Sequence, residues 1–152
     1  MQSWIILSLV LGISGCATTN ATHTTGSATF LKHSGLAIEM KPGWSGYKLV
    51  EAKNTFDPED KQILWWAEFE PLAFLTQQKF LARWYAPDGT LFSMTEGGTF
   101  LMNSIYATAA LSLQNTQAAQ QPGEWKVEIF WKEHQIDTRT FRISSGKSSE
   151  EE

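Results

Sequence analysis

The residues that could do chemistry in this chain are few and scattered. A hydrolytic nucleophile needs Ser or Cys beside a base, and Gly43-Trp44-Ser45-Gly46 comes within one residue of the G-x-S-x-G turn that presents such a serine. It follows Pro42 in an expected loop. Zinc needs clustered His, Cys or carboxylates, whereas His23, His33 and His134 fall in an N-terminal polar segment, at a domain edge and in a hairpin turn. Asp57, Glu59 and Asp60 offer oxygen ligands for calcium, but they lack the glycine and the distal glutamate of a calcium loop. A glycosidase needs two carboxylates facing across a cleft. Glu68, Glu70, Glu124 and Glu128 are the nominees, and each reads equally well as a solvated strand residue. With no glycine-rich phosphate loop either, the expectation is a protein without catalytic residues, metal or cofactor.

The elements that would have to position any site are strands. Gln62 to Glu70 alternates Ile63, Trp65, Ala67 and Phe69 with Leu64, Trp66 and Glu68, and Pro71 ends it. Lys79 to Tyr85 puts Phe80, Ala82 and Trp84 on one face and Leu81, Arg83 and Tyr85 on the other, before Ala86-Pro87-Asp88-Gly89 turns the chain. Phe30 to Met40 and Gly46 to Val50 suit shorter strands separated by a turn at Lys41-Pro42-Gly43. Gly97-Gly98 is expected to break the segment after Gly89. Residues 101–121 fit a strand in which Ile105, Ala107, Ala109, Leu111 and Leu113 alternate with polar or small residues, with an Ala-rich helix as the competing reading.

The last element is the clearest hairpin. Trp125, Val127, Ile129 and Trp131 share one face, while Lys126, Glu128, Phe130 and Lys132 share the other. On the return strand, Ile136 differs in parity from Phe141 and Ile143, so a bulge between Asp137 and Thr140 is expected if all three point inward. The turn is placed at Lys132-Glu133-His134-Gln135.

With 152 residues, 42% of them apolar, and seven Trp and nine Phe, the chain can build one domain with a sizeable core. Its net charge of −4 provides no basic field for nucleic acid. Residues 1–15 differ in kind, because Trp4 to Ile13 is an apolar run of signal-peptide length, shorter than a spanning helix. Ile13-Ser14-Gly15-Cys16 resembles the bacterial lipobox, which implies cleavage before Cys16 and acylation of its thiol and amine. Three acyl chains exceed the two that stable anchoring requires. Cys16 is the single cysteine, so no internal disulfide is expected. Ala17 stands where an Asp would, by resemblance to the enteric sorting pattern, hold a lipoprotein at the inner membrane. The implied location is the periplasmic side of the outer membrane. Residues 16–29 lack large apolar side chains and read as a flexible tether, about 20 Å in root-mean-square span. The domain is expected over 30–144, followed by a disordered acidic tail at 145–152.

At Trp84-Tyr85-Ala86-Pro87-Asp88-Gly89, then Pro122-Gly123-Glu124-Trp125-Lys126-Val127-Glu128 and Phe141, the chain resembles bacterial immunoglobulin-like domains. The resemblance spans roughly Phe56 to Ile143 and implies an all-β, immunoglobulin-like β-sandwich of about seven strands. It also implies an extracytoplasmic adhesion, assembly or accessory module without an active site of its own. Trp65, Trp84, Trp125 and Trp131 read as core. Leu81, Arg83, Tyr85, Glu128 and Phe130 then form an outward face of the kind that docks proteins. The expected function is a lipid-anchored, non-catalytic interaction or assembly module of the cell envelope, with an envelope protein as partner. The alternative is a carbohydrate- or peptidoglycan-binding module stacking sugars on Trp44 and Trp66.

Overall fold

The computed structural model describes residues 30–43, 46–70, 77–101 and 104–146. They form nine strands and one short 3-10 turn, Gln117–Gln120. The strands are β1 (Leu31–Gly43), β2 (Gly46–Ala52), β3 (Thr55–Phe56), β4 (Gln62–Phe69), β5 (Lys79–Tyr85), β6 (Leu91–Leu101), β7 (Ile105–Ser112), β8 (Gly123–Trp131) and β9 (His134–Ile143). All are linked in one hydrogen-bonded order, β2-β1-β4-β7-β6-β5-β8-β9-β3. The expected all-β sandwich is present, with nine strands in place of about seven.

A flat sheet of this order would hold β4 and β5 two strands apart. Instead their inner side chains touch: Phe69 stacks on Phe80 with ring centroids 5.4 Å apart, and Trp65 lies 6.3 Å from Phe80. The sheet therefore folds over on itself into two layers. β2, β1, β4 and β7 make one layer, and β5, β8, β9 and β3 make the other. β6 belongs to both, since Leu91 to Gly98 pair with β5 and Gly98 to Leu101 pair with β7.

The crossing falls at Gly97-Gly98, expected as a break but lying inside a continuous strand. A Cβ on Gly97 would sit 2.0 Å from the Thr108 carbonyl oxygen, so only glycine lets β6 come this close to β7. Thr99 is buried just beyond, and its hydroxyl accepts the Gln78 N–H at 2.8 Å. On the opposite side the chain itself crosses between the layers, because β2 pairs with β1 and, after Ala52, β3 runs parallel to the end of β9.

The core is aromatic. Trp65, Trp84 and Trp125 are fully buried, and each indole N–H has an acceptor: Asp137 Oδ2, Thr95 Oγ1 and the Gln121 carbonyl, all at 2.8–2.9 Å. Trp131, expected in the core, is half-buried at its margin, edge-on to Phe30 at 5.4 Å. The 105–112 segment is a strand, as its alternation indicated, with its inward Ala107, Ala109 and Leu111 buried.

Three local expectations are corrected. First, β1 does not turn at Lys41-Pro42-Gly43 but runs to Gly43, with Pro42 opposite Tyr47 in a two-stranded ribbon that has no ladder partner on its far side, where a missing N–H costs nothing. Second, the bulge in β9 is at Ile136, since Phe130 pairs with Gln135 and Ile129 with Asp137. This places Ile136 in the core and aims the neighbouring Asp137 carboxylate at Trp65. Third, the β8–β9 turn is only Lys132-Glu133, with Lys132 at φ +55°, as a tight hairpin turn requires. Ser144, the last residue of the expected domain, is held by its N–H to the Phe56 carbonyl and its hydroxyl to Asp57.

Candidate functional site: the outer face of β5 and β8

The alternation of β5 and β8 sends every second side chain away from the core. Their antiparallel register sets Leu81 opposite Phe130, Arg83 opposite Glu128 and Tyr85 opposite Lys126. These side chains interlock. The Arg83 guanidinium lies 4.4 Å from the centre of the Phe130 ring, and the Lys126 ammonium 4.5 Å from that of Tyr85, both within cation–π range. Glu128, opposite Arg83 in the register, ties the second pair together, accepting the Tyr85 hydroxyl at 2.9 Å and the Lys126 ammonium at 2.8 Å.

Burial pulls the Glu128 carboxyl upward. The hydrogen bonds from Lys126 and Tyr85 and the nearby charges of Lys126 and Arg83 outweigh it, leaving Glu128 below the usual glutamate value. The same hydrogen bond to Glu128 raises Lys126. A charged, ordered patch results, with flat ring and guanidinium surfaces held in place by contacts within the chain. Beside it on β6 stand two exposed apolar side chains, Met94 at 57% and Leu91 at 48% exposure.

The structure thus brings together all five residues expected on this face, each half-buried. Lys126, Met94 and Leu91 belong to the same surface and were not among the expected set. The parity of Lys126 with Glu128 and Phe130 was the available signal. Met94 needed the β5–β6 register, in which it pairs with Arg83.

Two turn segments, Ala86–Gly89 and the start of β8, also meet at one end of this face. Gly89 at φ +82° closes the Ala86–Gly89 turn, and Asp88 accepts the N–H and hydroxyl of Thr90, which hold its carboxyl below the usual range. Gly123, at φ +140°, packs so close to Pro87 that a Cβ would lie 2.9 Å from its ring. Both segments are accounted for by packing.

The other expected sites are dispersed. Trp66 lies on the outer face of the opposite layer, its indole resting over Gly35, with Nε1 3.1 Å from where a Cβ would be. That buried N–H has no partner among the described residues. Trp44, Ser45, His23 and Cys16 lie outside the described residues. Glu68 is outward on β4, bound by Lys32 at 3.2 Å, while Glu128 is outward on β8 in the other layer, so these two carboxylates do not face a common cleft. Asp60 pairs with Lys53 at 2.8 Å and Asp57 accepts Ser144, which makes this loop a structural tie. Among the described residues no group of three or more His, Cys, Asp or Glu could hold a metal ion, and no helix is long and apolar enough to cross a membrane.

No protein-family model matches the chain. No curated protein matches it either. Among solved structures, it is similar to an immunoglobulin-like protein from Pseudomonas aeruginosa, with 9% identity and a TM-score of 0.48 over 75% of this chain and 94% of that one.

Proposed function

We propose that this chain is a lipid-anchored, non-catalytic protein-interaction module of the bacterial cell envelope, held by Cys16 and docking an envelope protein through the outer face of β5, β6 and β8. What supports the docking role is the ordered cluster of Leu81, Arg83, Tyr85, Glu128 and Phe130. It sits beside exposed Met94 and Leu91, the mix of arginine, aromatic and methionine side chains enriched at interfaces. The lipid anchor and the periplasmic face of the outer membrane follow from the lipobox resemblance and Ala17.

The test uses the full chain in detergent-solubilised envelopes. A Tyr85→Ala, Phe130→Ala double variant keeps its β-type circular dichroism, because neither side chain contributes to the core, and loses the proteins that co-purify with the parent. Retention of every parental partner by the double variant rejects this face as the docking surface.

A further inference from the structure

The ribbon formed by Ile38 to Gly43 of β1 and the facing part of β2 extends beyond β4, with Lys41 to Gly43 exposed at its tip. It folds back over the outer face of the β1-β4-β7 layer, because Tyr47 on β2 reaches Phe100 on β6 and Tyr106 on β7, with ring centroids 4.7 Å and 5.5 Å away. Gln62 fastens the base of the ribbon, donating to the Ile38 carbonyl at 3.2 Å. Between ribbon and sheet two cavities remain, of about 260 Å³ and 350 Å³, which share Glu39 and Gln62 as a common wall.

The lining has a definite chemistry. Tyr47 and Phe100 stand at 68° to one another, giving the first cavity an aromatic corner. Around it are the apolar Met40 and Leu64 with an amide and a hydroxyl, Gln62 and Thr108, continued in the second cavity by Ser112 and Gln114. Among the described residues, the Tyr47 and Thr108 hydroxyls and the Gln114 amide have no intramolecular hydrogen-bond partner. Charge is nearly balanced: Glu39 is paired with Lys41 at 3.1 Å, and Lys61 is a cation on the second wall. Aromatic faces suit the C–H faces of a pyranose ring, and neutral amides and hydroxyls suit its hydroxyls. Neither suits a strongly charged ligand. The second cavity falls within, and the first just below, the ~300–1,000 Å³ of small-ligand clefts.

We infer that the cleft between the β1–β2 ribbon and the outer face of β4 and β7 binds a short neutral oligosaccharide, one sugar ring against Tyr47 and Phe100 and its hydroxyls on Gln62, Thr108 and Gln114. This site lies in the opposite layer from the docking face and does not depend on it. It also differs from a pair of stacking tryptophans, because its aromatic wall is Tyr47 and Phe100.

The experiment is calorimetric titration of the detergent-solubilised full chain with chitotetraose, cellotetraose and maltotetraose. At least one gives saturable binding. Tyr47→Ala weakens it at least tenfold and Thr108→Val at least threefold, while Tyr85→Ala, Phe130→Ala leaves it unchanged. Failure of all three sugars to bind overturns the inference, as does a bound sugar whose affinity Thr108→Val leaves unaltered. Should Tyr47→Ala loosen the ribbon, the Thr108→Val and Gln114→Ala variants decide the matter, since both leave the aromatic contacts of Tyr47 in place.

Discussion

Asp137 carries more of the core than its position suggests. Its carboxylate accepts the Trp65 indole at 2.9 Å and the Arg139 guanidinium at 3.2 Å, and Arg139 reaches on to the Ser34 hydroxyl on the other layer. Asp137→Ala leaves a buried indole N–H unpaired, at a cost of about 1–3 kcal/mol. Urea denaturation should show that loss, and Asp137→Asn should recover much of it, because an amide oxygen still accepts the N–H. Equal destabilisation by the two substitutions would mean that charge, not the indole hydrogen bond, is what matters. Glu128 supplies a second test. Its carboxyl in the folded chain lies below the ordinary value of 4.5, so the stabilisation it gives is complete above that value and disappears as pH falls through the folded one. Stability measured from pH 6 downward should fall less steeply in Glu128→Gln than in the parent.

At the scale of elements, β6 joins the layers, and its two central glycines are not equivalent. A methyl group on Gly97 meets backbone 2.0 Å away, whereas one on Gly98 finds its nearest neighbour at 3.6 Å, an ordinary contact. Gly97→Ala should therefore cost at least ~2 kcal/mol and Gly98→Ala stay within ~0.5 kcal/mol, read by thermal or urea unfolding. Sequence alone could not separate the two, since both read as breaks. What the sequence does reveal is wherever one face is buried and the other is not: β5 and β8 alternate cleanly, and β4 and β7 do so apart from the outward Leu64 and Tyr106, which are also buried, so the inward residues and the five outward ones on β5 and β8 were legible. β6 was not, because a bulge at Phe92 and the change of layer at Gly97-Gly98 interrupt its period of two. β3 is two residues long and defined only by its partner, Arg142-Ile143. The cleft under the ribbon was illegible for a similar reason: Tyr47, Phe100 and Thr108 lie on three strands, and only the fold-back of the ribbon brings them together.

For the whole molecule, the sheet edge at β9 is protected. β9 carries a bulge and the charged Asp137 and Arg139 along the side that β3 leaves open, devices that discourage pairing with another chain. The proposed anchor makes its own prediction: Cys16→Ser abolishes labelling by radioactive palmitate and moves the protein from the membrane to the soluble envelope fraction. A variant that stays in the membrane and still takes up label would reject lipidation at Cys16.

The seam between β1 and β9 sets the order in which this molecule can be completed. Ser34 meets Arg139, and Thr55 pairs with Arg142, so the first strands of the domain close against its last. Contacts of such long separation form late and slowly. Until the C-terminal hairpin has been made, Trp65 has no acceptor and the Phe56–Phe141 contact has no second ring. The growing chain therefore holds an incomplete aromatic layer open through most of its synthesis, and a nascent chain stopped short of residue 134 should be cut readily by protease where the finished protein resists.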